Sequence, residues 1–221
     1  QRLSSKEKAP RLTSKFLRTM ARYTGPRLRI SRRFHTPIFG SSKYLDRKDY
    51  PPGQHGQSRR RKATDYAMAL AEKQKMRYYY GLMEKQFRGV YEKANRRRGV
   101  TGEIMLQILE TRLDSVVFSL GFGYTRAQAR QMVTHGHVLV NGKRARTPSI
   151  ALNENDSVEI KSVEKSRHLA DKNLEYSTSR TVPEWLELDK GAYKGALKRM
   201  PIREDVEPIA NEQAIVEFYS R

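Results

Sequence analysis

The chain has 221 residues, no cysteine, and a formal net charge of +20 from 44 Lys and Arg residues against 24 Asp and Glu residues. The absence of cysteine excludes disulfides, thiolate zinc sites and thiol catalysis. No apolar run approaches the roughly 18 residues of a membrane span and no secretory leader pattern opens the chain, so we expect a soluble, intracellular protein with one or two modest domains.

The positive charge is concentrated in the first hundred residues. Residues 1–100 carry 27 basic and 7 acidic side chains, whereas residues 101–221 carry 17 of each. The basic half holds 17 Arg and 10 Lys, and the arginine fork grips phosphate oxygens in pairs and stacks on bases. A membrane surface would favour a basic helix with an apolar, Trp-containing face, which this half lacks. The composition therefore predicts a nucleic-acid partner.

The chain starts at Gln1, and a Met20-Ala21 pair follows a basic segment that also contains Ser and Thr. Two interpretations are open for residues 1–19: a transit peptide, or a disordered basic extension upstream of a working start at Met20. The segment has no clear amphipathic period, which favours the extension.

Residues 22–33 are rich in arginine and contain the helix-breaking pair Gly25-Pro26. This pattern predicts an extended arm that lies along a phosphate backbone, with a disordered, solvated tail as the alternative.

A turn rich in Pro, Gly and amide side chains follows over residues 49–57, directly before a basic cluster over residues 58–62. Prolines stiffen the backbone and glycines let it approach a partner closely, so this turn suits an irregular nucleic-acid junction. His55 has no second metal ligand nearby, and we expect it to stabilise the turn or contact phosphate.

A helix is predicted from Thr64-Asp65, where either residue can serve as the N-cap. Tyrosines occupy positions 78–80 ahead of Gly81, a predicted break, and a second helix runs toward residues 96–99. At least one tyrosine is expected to pack between these helices, and base stacking stays open for the others.

In the neutral half, apolar periodicity predicts helices over residues 101–109 and 113–120. Thr125 and Gln128 form a capping-box pair for a third helix, which Gly136 closes as a left-handed cap. This pattern places Arg126 and Arg130 on the outer face of that helix.

Three strands are predicted beside these helices. Residues 137–140 and 143–146 flank Asn141-Gly142, a type I′ hairpin signal, and residues 157–161 supply another strand. The basic side chains of this region are expected on one surface.

Several motifs with fixed spacing carry a resemblance to a known module. They are Arg112-Leu113-Asp114, Gly121-Phe122, Thr125-Arg126, Ala129-Arg130-Gln131, His135-Gly136 and Val140-Asn141-Gly142. Together they resemble the small RNA-binding module shared by several translation and RNA-modifying proteins.

The flanks extend the resemblance to nearly the whole chain, over about residues 20–221. They are Met20 to Pro26, the turn Pro51 to Gln57, Val182 to Leu186, and the ending Asn211 to Arg221. With these motifs in order, the chain resembles the bacterial-type small-subunit ribosomal protein S four family.

The resemblance implies an α+β fold, with a mostly helical N-terminal body completed by the C-terminal tail and an inserted small helix-plus-sheet RNA-binding module. It implies domains at 20–111 with 177–221 and at 112–176, and a last segment that carries Trp185 and a final strand. It implies a cytoplasmic component of the small ribosomal subunit, an organelle ribosome being the less favoured location.

The family binds the 5′ domain of small-subunit ribosomal RNA, begins its assembly, and lies beside ribosomal proteins three and five, where it bears on decoding accuracy. Some members also repress their own messenger RNA. We expect no membrane contact, no cofactor and no homo-oligomer.

Many family members hold zinc through cysteines in Gly-Pro-basic-Cys-x-x-Cys order. Leu28 and Ser31 occupy those positions here, so no metal is expected.

Two alternatives use the same module. Pseudouridine synthases carry it with a catalytic aspartate after Arg-Leu, as Asp114 is here, but such an aspartate needs a cleft from a large separate domain. A helix N-terminus also suits a carboxylate without catalysis. The other alternative is a free RNA-binding regulator, which would not need the matched flanks.

We therefore expect no catalytic residue and a set of RNA-binding side chains, with Arg130→Glu expected to weaken RNA binding without unfolding the chain. The predicted RNA-binding residues are Arg22, Arg27, Arg29, Arg32, Arg33, Gln54, His55, Gln57, Arg59, Arg60, Arg61, Lys62, Lys73, Arg77, Arg112, Arg126, Arg130, His137, Lys143 and Arg144.

Overall fold

The computed structural model describes residues 23–40, 43–48, 50–58, 62–178 and 180–220. The predictions for residues 1–19, Arg22 and Arg59–Arg61 lie outside these ranges. The α-helices of the described chain are α1 (Arg27–Phe34), α2 (Lys43–Arg47), α3 (Asp65–Tyr79), α4 (Glu84–Asn95), α5 (Thr101–Glu110), α6 (Leu113–Ser119), α7 (Arg126–His135), α8 (Glu164–Tyr176) and α9 (Glu212–Ser220). Over the same ranges, no helix is long and apolar enough to cross a membrane.

Five short strands form one antiparallel sheet. They are β1 (Val138–Val140), β2 (Lys143–Ala145), β3 (Ser157–Ile160), β4 (Leu186–Asp189) and β5 (Lys194–Leu197), in the order β2-β1-β3-β5-β4. The predicted hairpin is confirmed, because Val138 pairs with Ala145 and both turn residues, Asn141 and Gly142, have positive φ as a type I′ turn requires. Helices and an antiparallel sheet together confirm the α+β class.

The predicted extended arm is wrong for its second half, which forms α1. Pro26 lies at the N-cap, where its missing N–H leaves no helical bond unmade, so the Gly25-Pro26 pair begins a helix rather than preventing one. Ile30 and Ser31 are buried on one face, and His35 ends the helix in the left-handed conformation. Burial of this face offsets the repulsion among the arginines.

The helices predicted between residues 64 and 136 occur as α3 to α7, whereas α2 and α8 were not predicted. The Thr64 hydroxyl accepts a hydrogen bond from the Ala67 N–H at 3.3 Å and caps α3. The Thr125 hydroxyl accepts from the Gln128 N–H at 3.2 Å and caps α7, which ends at left-handed Gly136. The Gln128 side chain accepts from the N–H of residue 124 at 2.9 Å rather than from that of the cap itself.

The sheet packs against α6, α7 and α8 in what we call the sheet core. Its large, fully buried side chains include Phe122, Leu113 and Leu152. Trp185 and Leu197, from the segment around β4 and β5, belong to the same core. A stretch distant in sequence thus completes the sheet beside the hairpin.

The second core, which we call the helical core, lies among α3, α4, α5 and α9. Phe87, Met105 and Leu109 are fully buried in it. Val206 and Ile215 join it from the last part of the chain, which ends in α9 rather than in the expected final strand. The domain boundaries expected from the sequence remain a prediction.

Gly123 is a site where packing leaves no room for a side chain. A methyl group there would lie 2.7 Å from the Ala129 Cβ and 2.8 Å from its Cα. We expect Gly123→Ala to lower the free energy of unfolding by about 1–3 kcal/mol, because the loop must move off α7. Urea unfolding followed by the fluorescence of buried Trp185 measures this.

The matched control is Gly191→Ala, because the nearest atom to a Cβ there is the Asp189 Oδ1 at 3.5 Å. An equal loss of stability in both variants would contradict the packing argument.

Candidate RNA interface

Helix α1 exposes most of its arginines. Arg27, Arg29 and Arg33 are exposed, and two of them are held over aromatic rings: the Arg27 guanidinium lies 5.8 Å from the Phe39 ring centre, and that of Arg33 lies 5.7 Å from the Phe34 ring. Such contacts steady long side chains while leaving their N–H groups free to donate. These three residues can therefore present guanidinium groups to phosphates, and ring contacts hold two of them.

Arg32 differs from its neighbours because it faces the protein. Its Nε donates to the Tyr50 carbonyl at 3.1 Å and its Nη2 to the Pro51 carbonyl at 3.3 Å, and its guanidinium lies 4.8 Å from the Tyr50 ring centre. Arg32 was predicted to contact RNA, but these internal contacts give it a structural role. It ties α1 to the turn over residues 50–58.

That turn is built as the sequence indicates. Gly56 approaches the backbone so closely that a Cβ would lie 2.1 Å from the Pro51 carbonyl oxygen. Gln54, His55 and Gln57 are exposed, as is Lys62 just beyond. The turn therefore offers amide, imidazole and ammonium groups beside the α1 arginines.

The prediction that Lys73 contacts RNA is wrong because this residue of α3 is buried, and half-buried Arg77 of the same helix makes internal contacts. Lys73 is 5% exposed, and its Nζ donates to the Glu84 carboxylate at 2.7 Å. Arg77 donates to the Gln74 side chain at 2.7 Å and lies over the Tyr78 ring. Burial alone would raise the pKa of Glu84, but its bonds to Lys73 and Tyr219 outweigh this and lower it.

At least one of the three tyrosines at positions 78–80 was expected to pack inside the protein, and Tyr80 does so. Tyr80 is buried, and its hydroxyl donates to the Glu110 carboxylate at 2.6 Å. Burial and that carboxylate raise the pKa of Tyr80 well above its usual range. Tyr79 packs edge-on against Tyr80, and Tyr78 contacts Phe34 from α1.

The prediction that Arg126 faces outward is also wrong. Its Nη2 lies 3.3 Å from the Glu110 carboxylate, and its Nη1 donates to the Ser115 hydroxyl at 3.0 Å. Its guanidinium also lies between 4.3 and 4.6 Å from the centres of three aromatic rings, those of Tyr79, Tyr80 and Phe118. We call this group the Arg126 junction.

The Arg126 junction connects the two cores, since Glu110 and the tyrosines border the helical core while α7 belongs to the sheet core. Burial lowers the pKa of the Arg126 guanidinium, but attraction to Glu110 and the tyrosines outweighs this and raises it above its usual value. The charge is therefore permanent and serves the structure.

A second buried cluster surrounds Asp114. Its carboxylate accepts from Arg112 at 2.8 and 3.0 Å, from Arg130 at 3.0 Å and from the Ser115 N–H at 3.1 Å. Arg112 was expected at the RNA-binding surface, and this prediction is wrong because Arg112 is buried. Arg130 is half-buried, so only part of its side chain can reach that surface. A carboxylate held by two guanidinium groups stabilises the helix start and is not free to act as a nucleophile.

This pairing also corrects the expectation for Arg130→Glu. The new carboxylate would face Asp114, so the variant is expected to lose stability together with any effect on RNA. It cannot serve as a clean test of binding.

The hairpin presents Lys143, Arg144 and Arg146 as exposed side chains. Arg144 also donates to the carbonyls of Gly136 and His135, both at 3.1 Å, and so closes the C-terminus of α7 with a cation. Lys143 carries no such restraint, which makes it the cleaner probe of this surface.

His137 lies between the hairpin and α8. Its Nδ1 is 2.9 Å from the Ser166 hydroxyl. Burial, followed by repulsion from His135, Arg144 and Lys161, lowers the pKa of His137 below its ordinary value of 6.5. Its expected contact with RNA therefore involves the neutral imidazole near pH 7.

Sequence reasoning missed three exposed cations on or beside α2: Lys43, Arg47 and Lys48. Helix α2 packs on α1, so these cations extend the same basic surface. The i, i+4 spacing of Lys43 and Arg47 was the signal available in the sequence. Leu28 and Ser31 both form part of α1, and a leucine side chain has no atom that can bind a metal ion.

Two family models match this chain. Residues 22–110 match the family model described as ribosomal protein S4/S9 N-terminal domain, and residues 111–158 match the S4 domain. Curated relatives match across 91% of this chain and 100% of their own length. Three of them, each named small ribosomal subunit protein uS4, come from Opitutus terrae (53% identical), Akkermansia muciniphila (50%) and Geotalea daltonii (51%).

The Asp114 cluster yields a prediction about stability. Asp114→Asn removes the charge shared by two guanidinium groups and turns an amide N–H toward one of them, so we expect unfolding to become easier by about 3 kcal/mol. Asp46→Asn on exposed α2 is the control and should change little. Urea unfolding of both variants measures this, and matched curves would show that the cluster is not stabilising.

His137 yields a prediction about pH. Because its folded-state pKa is depressed, the folded chain binds fewer protons than the unfolded chain around and below pH 6.5. Its contribution to stability is therefore complete above about pH 6.5 and declines as the pH falls further. Unfolding measured at pH 7.5 and 5.5 should show a smaller difference in His137→Asn than in the wild type.

The control for this experiment is Gln131→Asn, which changes an exposed side chain that does not titrate. This variant should keep the wild-type pH dependence. Identical pH dependence in His137→Asn and the wild type would contradict the prediction.

Proposed function

Because the chain belongs to the uS4 family of small ribosomal subunit proteins, we propose that it is a structural, non-enzymatic component of that subunit which binds small-subunit ribosomal RNA directly. The observation that carries this proposal is identity of about 50% to relatives whose whole length it covers. The partition of basic residues between buried ion pairs and an exposed surface supports it.

The RNA surface consists of exposed basic side chains and of the exposed polar side chains of the turn over residues 50–58. Its proposed members are the exposed side chains Arg27, Arg29, Arg33, Lys43, Arg47, Lys48, Gln54, His55, Gln57, Lys62, Lys143, Arg144 and Arg146. Half-buried Arg130 and His137 border it. The buried or inward-facing side chains Arg32, Lys73, Arg77, Arg112 and Arg126 instead support the surface from behind.

Two kinds of contact follow from this arrangement. Exposed cations such as Lys143 neutralise phosphates and release counterions, which supplies affinity without sequence preference. The rigid turn over residues 50–58 and the α1 arginines are fixed relative to each other through Arg32. They can therefore distinguish a folded RNA shape from a plain duplex.

From the family resemblance we also propose which RNA domain the protein binds, which proteins are its neighbours and where it is located. The RNA would be the 5′ domain of small-subunit ribosomal RNA, whose assembly the protein would begin. Ribosomal proteins three and five would be neighbours, the contact with protein five would bear on decoding accuracy, and the location would be the cytoplasmic ribosome. Repression of its own messenger RNA is a further possible activity of the same surface.

The test is binding to a 5′-domain RNA fragment across a range of salt concentrations, with a duplex of equal length as the competitor RNA. We expect tight, fragment-selective binding and a steep decrease in affinity with salt. Lys143→Ala should weaken binding and reduce the slope of log K against log salt by about one unit, as the loss of one phosphate contact predicts.

The control is Lys190→Ala, an exposed lysine next to Asp189 at the end of β4. It should leave both affinity and salt slope unchanged. Equal affinity of the wild type for the fragment and the duplex would overturn the proposed function.

A further inference from the structure

Two exposed tyrosines lie side by side at the N-terminal end of α7. Tyr124 is 51% exposed and Tyr176, in the last turn of α8, is 60% exposed. Their ring centres are 5.8 Å apart, with 60° between the ring planes. We call this pair the tyrosine platform. Neither ring contributes to either core, so packing does not account for it.

The backbones that carry the two rings are held by one chain of hydrogen bonds. The Tyr124 N–H donates to the Gln128 Oε1 at 2.9 Å, and the Gln128 Nε2 donates to the Asn173 Oδ1 at 2.9 Å. Asn173 is buried in α8 and donates to the Phe122 carbonyl at 2.7 Å. The backbone beneath the rings is therefore held in place before a partner binds, which lowers the entropic cost of binding.

The surroundings of the platform favour an anionic partner. Arg180 donates to the Tyr124 carbonyl at 3.2 Å and to the Phe118 carbonyl at 3.3 Å. Lys172 is exposed four residues before Tyr176, a spacing that places both side chains on one face of α8, whereas neighbours such as Glu175 and Tyr176 do not face each other. Arg180 and Lys172 thus supply positive charge on this side of the protein.

We propose that the tyrosine platform stacks an unpaired base of the RNA bound by this protein. The inference rests on the proposed function and adds a contact that reads an unstacked nucleotide. Each ring leaves about half of its surface free, which together is on the order of 200 Å². That area suits one base, and it is well below the roughly 800 Å² per partner of a protein interface.

A second aromatic pair serves as a control. Tyr66 is 57% exposed and its ring centre lies 5.4 Å from that of half-buried Phe218. The Lys73 ammonium lies 4.7 Å from the Phe218 ring centre, but it is buried and paired with Glu84, so its charge is not available to a phosphate. Tyr66 therefore tests whether exposed aromatic surface alone is sufficient for binding.

The first experiment measures affinity for the 5′-domain fragment. Tyr124→Ala and Tyr176→Ala should each weaken binding by about 5- to 150-fold, the range found when one base loses its aromatic partner. The salt slope should not change, because no phosphate contact is removed. Tyr124→Phe and Tyr176→Phe should bind like the wild type, and Tyr66→Ala should as well. Thermal unfolding of each variant verifies that it is folded.

The second experiment detects stacking directly. Tyr124→Trp places a fluorophore on the platform, and Trp185 is buried and provides a constant background. We expect the RNA fragment to quench the new emission, and heparin, a polyanion without bases, to leave it unchanged.

Wild-type affinity in both alanine variants, or equal quenching by RNA and heparin, would overturn the platform while leaving the proposed function intact. Failure of the wild type to select the fragment over a duplex would overturn both. Quenching by a purified ribosomal protein but not by RNA would assign the rings to a protein contact and overturn the inference.

Discussion

The ion pair between Arg126 and Glu110 fixes how the two cores of this protein are oriented. A charge taken out of water is costly, and here the cost is offset only by the carboxylate, the Ser115 hydroxyl and the aromatic rings around the guanidinium. These partners come from both sides of the junction. The relative position of the hairpin and of α1, and thus the shape of the basic surface, depends on their meeting correctly.

Basic residues have two roles in this chain: some pair with carboxylates inside the protein, and others form the exposed basic surface. Composition does not distinguish the two groups. Lys73 pairs with Glu84 and Arg130 pairs with Asp114. These acids lie 11 and 16 positions away in sequence, where no periodicity argument connects them. An arginine-rich sequence therefore identifies the kind of partner reliably but overestimates how many cations touch it.

Local signals predicted most of the elements, because caps and turns act over a few residues. Thr125, Gly136 and the Asn141-Gly142 turn each occur where the sequence indicated. Helix α1 was missed because a Gly-Pro pair is read as a stop, although proline is equally suited to a helix start. Arg180 and the neighbouring tyrosines were missed because their contacts join segments more than 50 residues apart.

The path of the last part of the chain has a consequence for how the protein is made. Leu197 closes the sheet core and Ile215 closes the helical core, so both cores stay open until these late residues have been synthesised. A chain cut short before them would leave apolar surfaces from both cores in water. Such fragments are aggregation-prone and are natural targets for chaperones and proteases. Completeness of the polypeptide is thereby coupled to its survival in the cell.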